Sequence, residues 1–211
     1  SHIGLSFEIN SRIIKFSLDH KFLAFLKTNQ QIDFINLDSQ VQLSQKCRRS
    51  TSQILDFFWI SQEIFFFVTT NGFEIYQIST SSTRNSIKLV KEIKMPVKWF
   101  QYSSKLLVLG SGSTQSTVNT FFFKGSSLIR IPKFELDTSN PIASNRLIVK
   151  AKHITICRLY DRVYCIHYQT AKRQLHLYQM NKESVTRSIE IDTHTEGASR
   201  LHVIDNLLIC H

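Results

Sequence analysis

Thiols and imidazoles are the side chains best suited to hold a soft metal ion, and this chain carries four cysteines and eight histidines. The cysteines are Cys47, Cys157, Cys165 and Cys210. A structural zinc site draws its ligands in pairs a few residues apart. Cys157 and Cys165 stand eight apart, on what read as adjacent strands. All four are expected to be free thiols packed as small hydrophobes in a reducing compartment, which places the chain in the cytosol. His153, His167, His176, His194, His202 and His211 crowd the last third. His167 and His176 flank a hairpin loop, and no acidic ligand lies at a fixed offset from either. Surface or strand-face histidines are the expectation, with no metal site.

Phosphate-handling and nucleophilic chemistry have no better footing. Gly110-Ser-Gly112 follows a strand-like run, but it lacks a third glycine, a Lys-Ser/Thr pair and a helix to receive a phosphate. Ser113 has no nucleophile elbow around it. The sequence therefore assigns no catalytic residue and calls for no cofactor.

Charge is the chemistry that remains. The chain carries 26 basic and 16 acidic residues, a net charge of +10. Arg84 to Lys98 holds five basic residues and one acidic, Arg146 to Arg173 holds seven and one, and these two stretches account for the whole excess. Both alternate basic with apolar residues, so Lys88, Lys91 and Lys94, and likewise Arg146, Lys150 and Lys152, are expected on the outer faces of basic edge strands. Such a face attracts an acidic partner or an anionic membrane leaflet, at about 1 kcal/mol per basic residue near the surface. Nucleic acid is not expected, because no aromatic-basic recognition motif accompanies the charge. The short run Lys46-Cys-Arg-Arg49 is too brief to decide anything.

The elements that must position these residues are strands. In residues 53–79, Leu55, Phe57 and Trp59 alternate with other side chains, Ile64 to Val68 is a short apolar run, and Phe73, Ile75 and Ile78 lie in a third β-rich segment. Asn71-Gly72 joins the last two and predicts a type I′ hairpin turn. The unit recurs. Ile14 to Asp19 with Phe22 to Phe25 and Gln31 to Leu37 precede it. Lys98 to Tyr102 with Leu106 to Leu109, then Ile156 to Tyr160 with Val163 to Ile166, and finally Leu201 to Asp205 with Leu207 to Ile209 follow. Starts at Ile14, Leu55 and Lys98 are 41 and 43 residues apart, the period of a four-stranded propeller blade. The next gap, 58 residues to Ile156, implies an insertion, with residues 110–118 and 137–145 as its sites. Fourth strands fit at Val41 to Cys47, Ser86 to Ile93, Leu128 to Phe134 and Val185 to Ile191.

The expected fold is therefore all-β, a WD40-like propeller with four to five four-stranded antiparallel blades. The approximate blades are residues 11–48, 53–95, 97–136 and 147–192, with another starting at 199–211 and residues 1–10 ending an earlier one. First strands would line a central channel. Trp59 and Trp99, at the ends of first strands, would wedge between blades. Sixteen phenylalanines, only three prolines and no sustained 3.6-residue period agree with this reading. No run of 18 apolar residues offers a membrane span, and no signal peptide is visible. The repeat starts at Ser1 rather than Met and stops within a blade, so a piece of a longer propeller with an incomplete ring is expected. Such a piece would expose an apolar face and unpaired strand edges at each end.

The residues also carry a family resemblance. Ile14-Lys-Phe-Ser-Leu-Asp-His-Lys-Phe-Leu-Ala, Lys27 to Phe34, Gln53-Ile-Leu-Asp-Phe-Phe-Trp59, Gly72-Phe-Glu-Ile-Tyr-Gln77, Val97-Lys-Trp99 and Ile131-Pro-Lys-Phe-Glu135 resemble the amino-terminal propeller of the regulator of the Mon-Ccz complex, the Mic-one-like or Bulli family. The similarity runs from Ile14 to Glu135, fades through the last blades and returns at Val203-Ile-Asp-Asn-Leu207. It implies a non-catalytic subunit that binds the paired longin-domain proteins Mon-one and Ccz-one. Those partners form the guanine-nucleotide exchange factor for the late-endosomal Rab GTPase. A cytoplasmic protein peripheral on late endosomes and lysosomes, supporting endosome maturation, lysosomal trafficking and autophagy, is what the resemblance implies. Without it, the repeat indicates an interaction propeller. Coat or tethering scaffolds are then the alternative, and a propeller enzyme such as a glycosidase is disfavoured because the acids are scattered over strand ends and turns.

Overall fold

The computed structural model describes residues 11–80, 85–125, 127–141, 145–193 and 201–210. Gly4 to Ile9, the expected end of an earlier blade, lies outside them. Among the described residues every regular element is a strand except one 3₁₀ turn, Ala151–His153. Among these residues no helix is long and apolar enough to cross a membrane. The chain divides into two compact units, residues 1–95 and 96–211.

Two four-stranded sheets form the first unit. Strands β1 (Ile14–Phe16), β2 (Phe22–Thr28), β3 (Gln31–Asn36) and β4 (Gln42–Lys46) pair in chain order, as do β5 (Ile54–Trp59), β6 (Ile64–Thr69), β7 (Gly72–Thr80) and β8 (Asn85–Lys94). Every pairing is antiparallel, which is what short connections permit. β-Branched and aromatic residues at alternate positions supply the buried faces. Phe34, Phe57, Phe65 and Phe67 are fully buried between the sheets, each contributing about 1.5–3 kcal/mol relative to an exposed ring. Trp59 of β5 wedges against the neighbouring sheet, as expected. It stacks on Phe22 at 6.2 Å and meets Phe34 edge-on at 6.0 Å.

The second unit holds β9 (Trp99–Ser103), β10 (Leu106–Ser111), β11 (Thr117–Lys124) and β12 (Ser127–Glu135) in one sheet. A second sheet contains β13 (Ile154–Leu159), β14 (Arg162–Gln169), β15 (Gln174–Met180) and β16 (Val185–Asp192), and a two-stranded one pairs β17 (Leu201–Ile204) with β18 (Leu207–Cys210). Trp99, Val108, Val118, Ile154 and Cys165 form the core between the first two of these sheets. In all four complete sheets the first strand is one edge and the fourth is the other. Large apolar side chains that stay exposed include Ile14 and Phe16 on the first strand of the first unit and Ile204 and Leu207 in the two-stranded sheet.

Two local expectations are corrected. The Asn71-Gly72 hairpin forms, but not as a type I′ turn: Asn71 keeps a negative φ and only Gly72 is positive, at +125°. The glycine is needed because a Cβ there would lie 1.9 Å from the Ile93 carbonyl oxygen on β8. The long gap before the fourth first strand arises between β12 and β13, where residues 136–153 replace the seven residues that separate β4 from β5. Residues 112–116 form only the β10–β11 turn.

Candidate interaction surface

Lys88, Lys91 and Lys94 all lie on β8, the outer edge strand of its sheet, and all are exposed. They do not share one face. Leu89 pairs with Tyr76 and Lys91 with Ile75, so Val90 is an extra residue, a β-bulge. An extra residue inverts the alternation beyond it. Lys88 and Lys91 consequently fall on one face, opposite Gln77 and Ile75, while Lys94 falls on the other with Glu92.

The Lys94 face is already neutralised. Glu92 accepts ion pairs from Arg48 at 3.8 Å, Arg49 at 3.7 Å and Lys94 at 3.6 Å. Its register partner Glu74 is buried. The Glu74 carboxylate accepts the Arg48 backbone N–H at 3.2 and 3.3 Å and the Tyr76 hydroxyl. Burial, reinforced by Glu74, pushes the neighbouring Cys47 thiol up to about 12. Lys46 to Arg49 thus staples the β4–β5 connection onto β7 and β8, a role hidden in sequence because Glu74 looks like an outward-facing strand residue.

Arg146, Lys150 and Lys152 are exposed, but residues 146–152 are not the edge strand expected from their alternation. This stretch makes two isolated backbone bonds, Leu147 N–H to the Thr138 carbonyl and Val149 N–H to that of Thr114. Val149 is drawn into the core and the chain then enters the 3₁₀ turn. Gln101 fixes that turn by donating to the Ala151 carbonyl at 2.9 Å and to that of Ile154. With no neighbouring strand there is no ladder, so the alternation produces an extended connection.

His153 lies in the 3₁₀ turn, and His167 and His176 are strand-face residues, buried rather than at the surface. They are register partners on β14 and β15 with rings 6.2 Å apart. Beside them Arg187 approaches His176 Nε2 at 3.1 Å, and Arg187 and Lys172 both reach Asp137, at 3.7 and 2.7 Å. Burial pushes His167 down to about 3, with His176 and His153 adding to it, and lowers His176 as well. His194 and His211 lie outside the described residues. Cys157 and Cys165 occupy different core clusters, on opposite faces of their sheet. Burial raises both thiols, to about 11 and about 12. Among the described residues no three His, Cys, Asp or Glu side chains are grouped to hold a metal.

The arrangement is one of surfaces on repeated four-stranded sheets. Residues 5–85 match the family model described as "Regulator of MON1-CCZ1 complex, N-terminal". Proteins named regulator of MON1-CCZ1 complex from Mus musculus and Homo sapiens are each 28% identical to it, over 98% and 95% of this chain and 34% and 32% of their own length. A homolog from Dictyostelium discoideum is 28% identical over 93% of this chain and 19% of its own. The likeness thus extends through the blades where the sequence motifs fade, and the chain spans about a third of the length of the mouse and human relatives. A chain in the crystal structure of the mitotic checkpoint complex is similar in fold alone, with a TM-score of 0.52 and 11% identity over 95% of this chain and 57% of that one. The sheets are WD40-like β-propeller blades and the ring is not closed. By family model over residues 5–85 and by 28% identity along nearly its whole length, the chain is similar to the regulators of the MON1-CCZ1 complex.

Proposed function

We propose that this chain is the propeller part of a non-catalytic regulatory subunit of the MON1–CCZ1 complex. It acts as a scaffold for the paired longin-domain subunits, whose nucleotide-exchange chemistry activates the late-endosomal Rab GTPase in endosome maturation, lysosomal trafficking and autophagy. The observation that carries the reading is the 28% identity kept across 93–98% of the chain to proteins named for that complex. Repeated antiparallel blades suit the role, because a stack of edge strands and turns offers several binding faces without an active site. The exposed cations Lys88, Lys91, Arg146, Lys150 and Lys152 would add attraction to an anionic cytoplasmic leaflet, with the protein peripheral on late endosomes and lysosomes. Affinity purification of the full protein tests the reading. Co-purification of MON1 and CCZ1 in stoichiometric amounts is expected, and recovery of coat or tethering subunits in their place would overturn it.

A further inference from the structure

A notch of about 450 Å³ opens between the two complete sheets of the second unit. Its floor is apolar, formed by Leu106, Phe122, Ile156 and Val163, and its rim carries Lys105 from the β9–β10 turn and Arg158 from β13. Phe122, Ile156 and Val163 pack against the core yet remain partly open. The volume lies within the range of sites that take a small ligand or a few side chains.

Two features describe the charge on the rim. The turn places Ser104 and Lys105 at φ of +50° and +66°. Successive left-handed residues favour glycine or asparagine, and each departure costs about 1–3 kcal/mol. The Tyr160-Asp161 turn of the next sheet has the same conformation, at φ of +47° and +61°, so the turn's part in the site is to hold the exposed Lys105 at the rim. Among the described residues, neither Lys105 nor Arg158 takes part in an ion pair. Arg158 also lines the next notch, with Asp161 and Asp205, and neither carboxylate forms an ion pair with it among the described residues.

We infer that this notch is a docking site for an extended peptide segment of a partner protein, one that inserts a large aliphatic or aromatic side chain and carries Asp or Glu beside it. The apolar floor takes the buried side chain, and the two cations on opposite walls take the carboxylates. An apolar anchor inside a charged rim is the anatomy of an energetic hot spot. A membrane would be met by charge over a flat face, whereas here the charge surrounds a recess.

Selection of a random dodecamer phage library on the immobilised protein tests this. The expected outcome is enrichment of sequences in which a Leu, Ile, Phe or Trp lies within two residues of Asp or Glu. A synthetic peptide of the enriched sequence should bind at least tenfold more weakly to K105E/R158E, whose exposed substitutions should leave Tm unchanged. Replacing its apolar residue with Ala should weaken it equally on the wild type. No enrichment, enrichment without an apolar residue, or binding indifferent to K105E/R158E would overturn the inference. So would loss of phosphatidylserine-vesicle binding in that variant with no peptide selected, which would make the rim a lipid contact. MON1–CCZ1 co-purification is a separate readout, so either idea can fail alone.

Discussion

Gly110 and Trp99 face each other across the β9–β10 ladder, and the indole fills the space that a side chain at position 110 would need. A Cβ on Gly110 would fall 1.9 Å from Trp99 Cε2 and 2.1 Å from its Nε1. The ring cannot swing aside, because it is buried and its Nε1–H donates to the Gln115 carbonyl at 2.8 Å. Gly110→Ala should therefore destabilise the protein by roughly 1–3 kcal/mol through overpacking, and Trp99→Ala by about 3–5 kcal/mol. The double variant should cost clearly less than the sum, since the alanine then occupies vacated space. Urea titrations followed by far-UV circular dichroism would check the cycle. Strict additivity would mean that the two residues do not compete for one volume.

Lys15 ties two first strands together in the first unit. Its Nζ donates to Asp56 at 2.7 Å and to the Phe57 carbonyl at 2.6 Å, and sits 3.8 Å above the Phe58 ring. Lys15→Met keeps the stem and removes all three contacts, at an expected cost of about 1.5–3 kcal/mol. The two side chains are only 30% and 24% exposed, so most of the loss should persist in 0.5 M salt. A deficit that vanishes with salt would mark a solvated surface pair.

Strand order was legible because the local signals agree: the 41- and 43-residue starts, the alternating aromatics and the short turns all select the same antiparallel blades. The fourth strands expected at Val41 to Cys47 and Leu128 to Phe134 correspond to β4 and β12 within a residue or two. Side-chain direction was less legible. One bulge at Val90 reverses which lysines share a face, and the Ser-Ile-Lys-Leu-Val-Lys run gives no local sign of it. Glu74 was misleading for a related reason. Its carboxylate is satisfied by Tyr76, two residues on, and by the Arg48 backbone N–H from the β4–β5 connection, a partner no local pattern supplies. The sequence excluded a phosphate loop at Gly110 but offered no reason for the glycine, which only its register partner Trp99 supplies.

Acid should loosen the second unit before its carboxylates titrate. His167 is held near 3, chiefly by burial, and His176 is lowered in the same way, whereas an unfolded histidine titrates near 6.5. Between about pH 6.5 and 3 the unfolded chain binds the extra protons, so this stability is complete above about 6.5 and lost as pH falls. The slope is at most about 1.4 kcal/mol per pH unit for each histidine. Burial pushes Asp137 up, but hydrogen bonds from Lys172 and Ser139 outweigh it and hold the carboxyl below the usual range. Its contribution is present above about 3.8 and lost only below that. His167→Phe should flatten urea midpoints measured from pH 7.5 to 4.5. An unchanged slope would assign the acid sensitivity to other groups.

The bulge divides the basic edge strand into two experiments. Lys88 and Lys91 share a face and neither forms an ion pair among the described residues, whereas Lys94 lies with Glu92, Arg48 and Arg49 on the other face. K88E/K91E should weaken binding to phosphatidylserine vesicles at least tenfold at low salt, since each basic residue near an anionic surface contributes about 1 kcal/mol. Its Tm should stay nearly unchanged, and the wild-type advantage should shrink as salt screens it. K94E should do the opposite. It sets a third carboxylate beside Glu92 and Glu74, so a small, salt-sensitive loss of stability of about 0.5 kcal/mol is expected, with little change in vesicle binding. Vesicle co-sedimentation and thermal melts on both variants would distinguish the faces. If K88E/K91E binds vesicles as well as the wild type at low salt, the strand is merely a solvated edge.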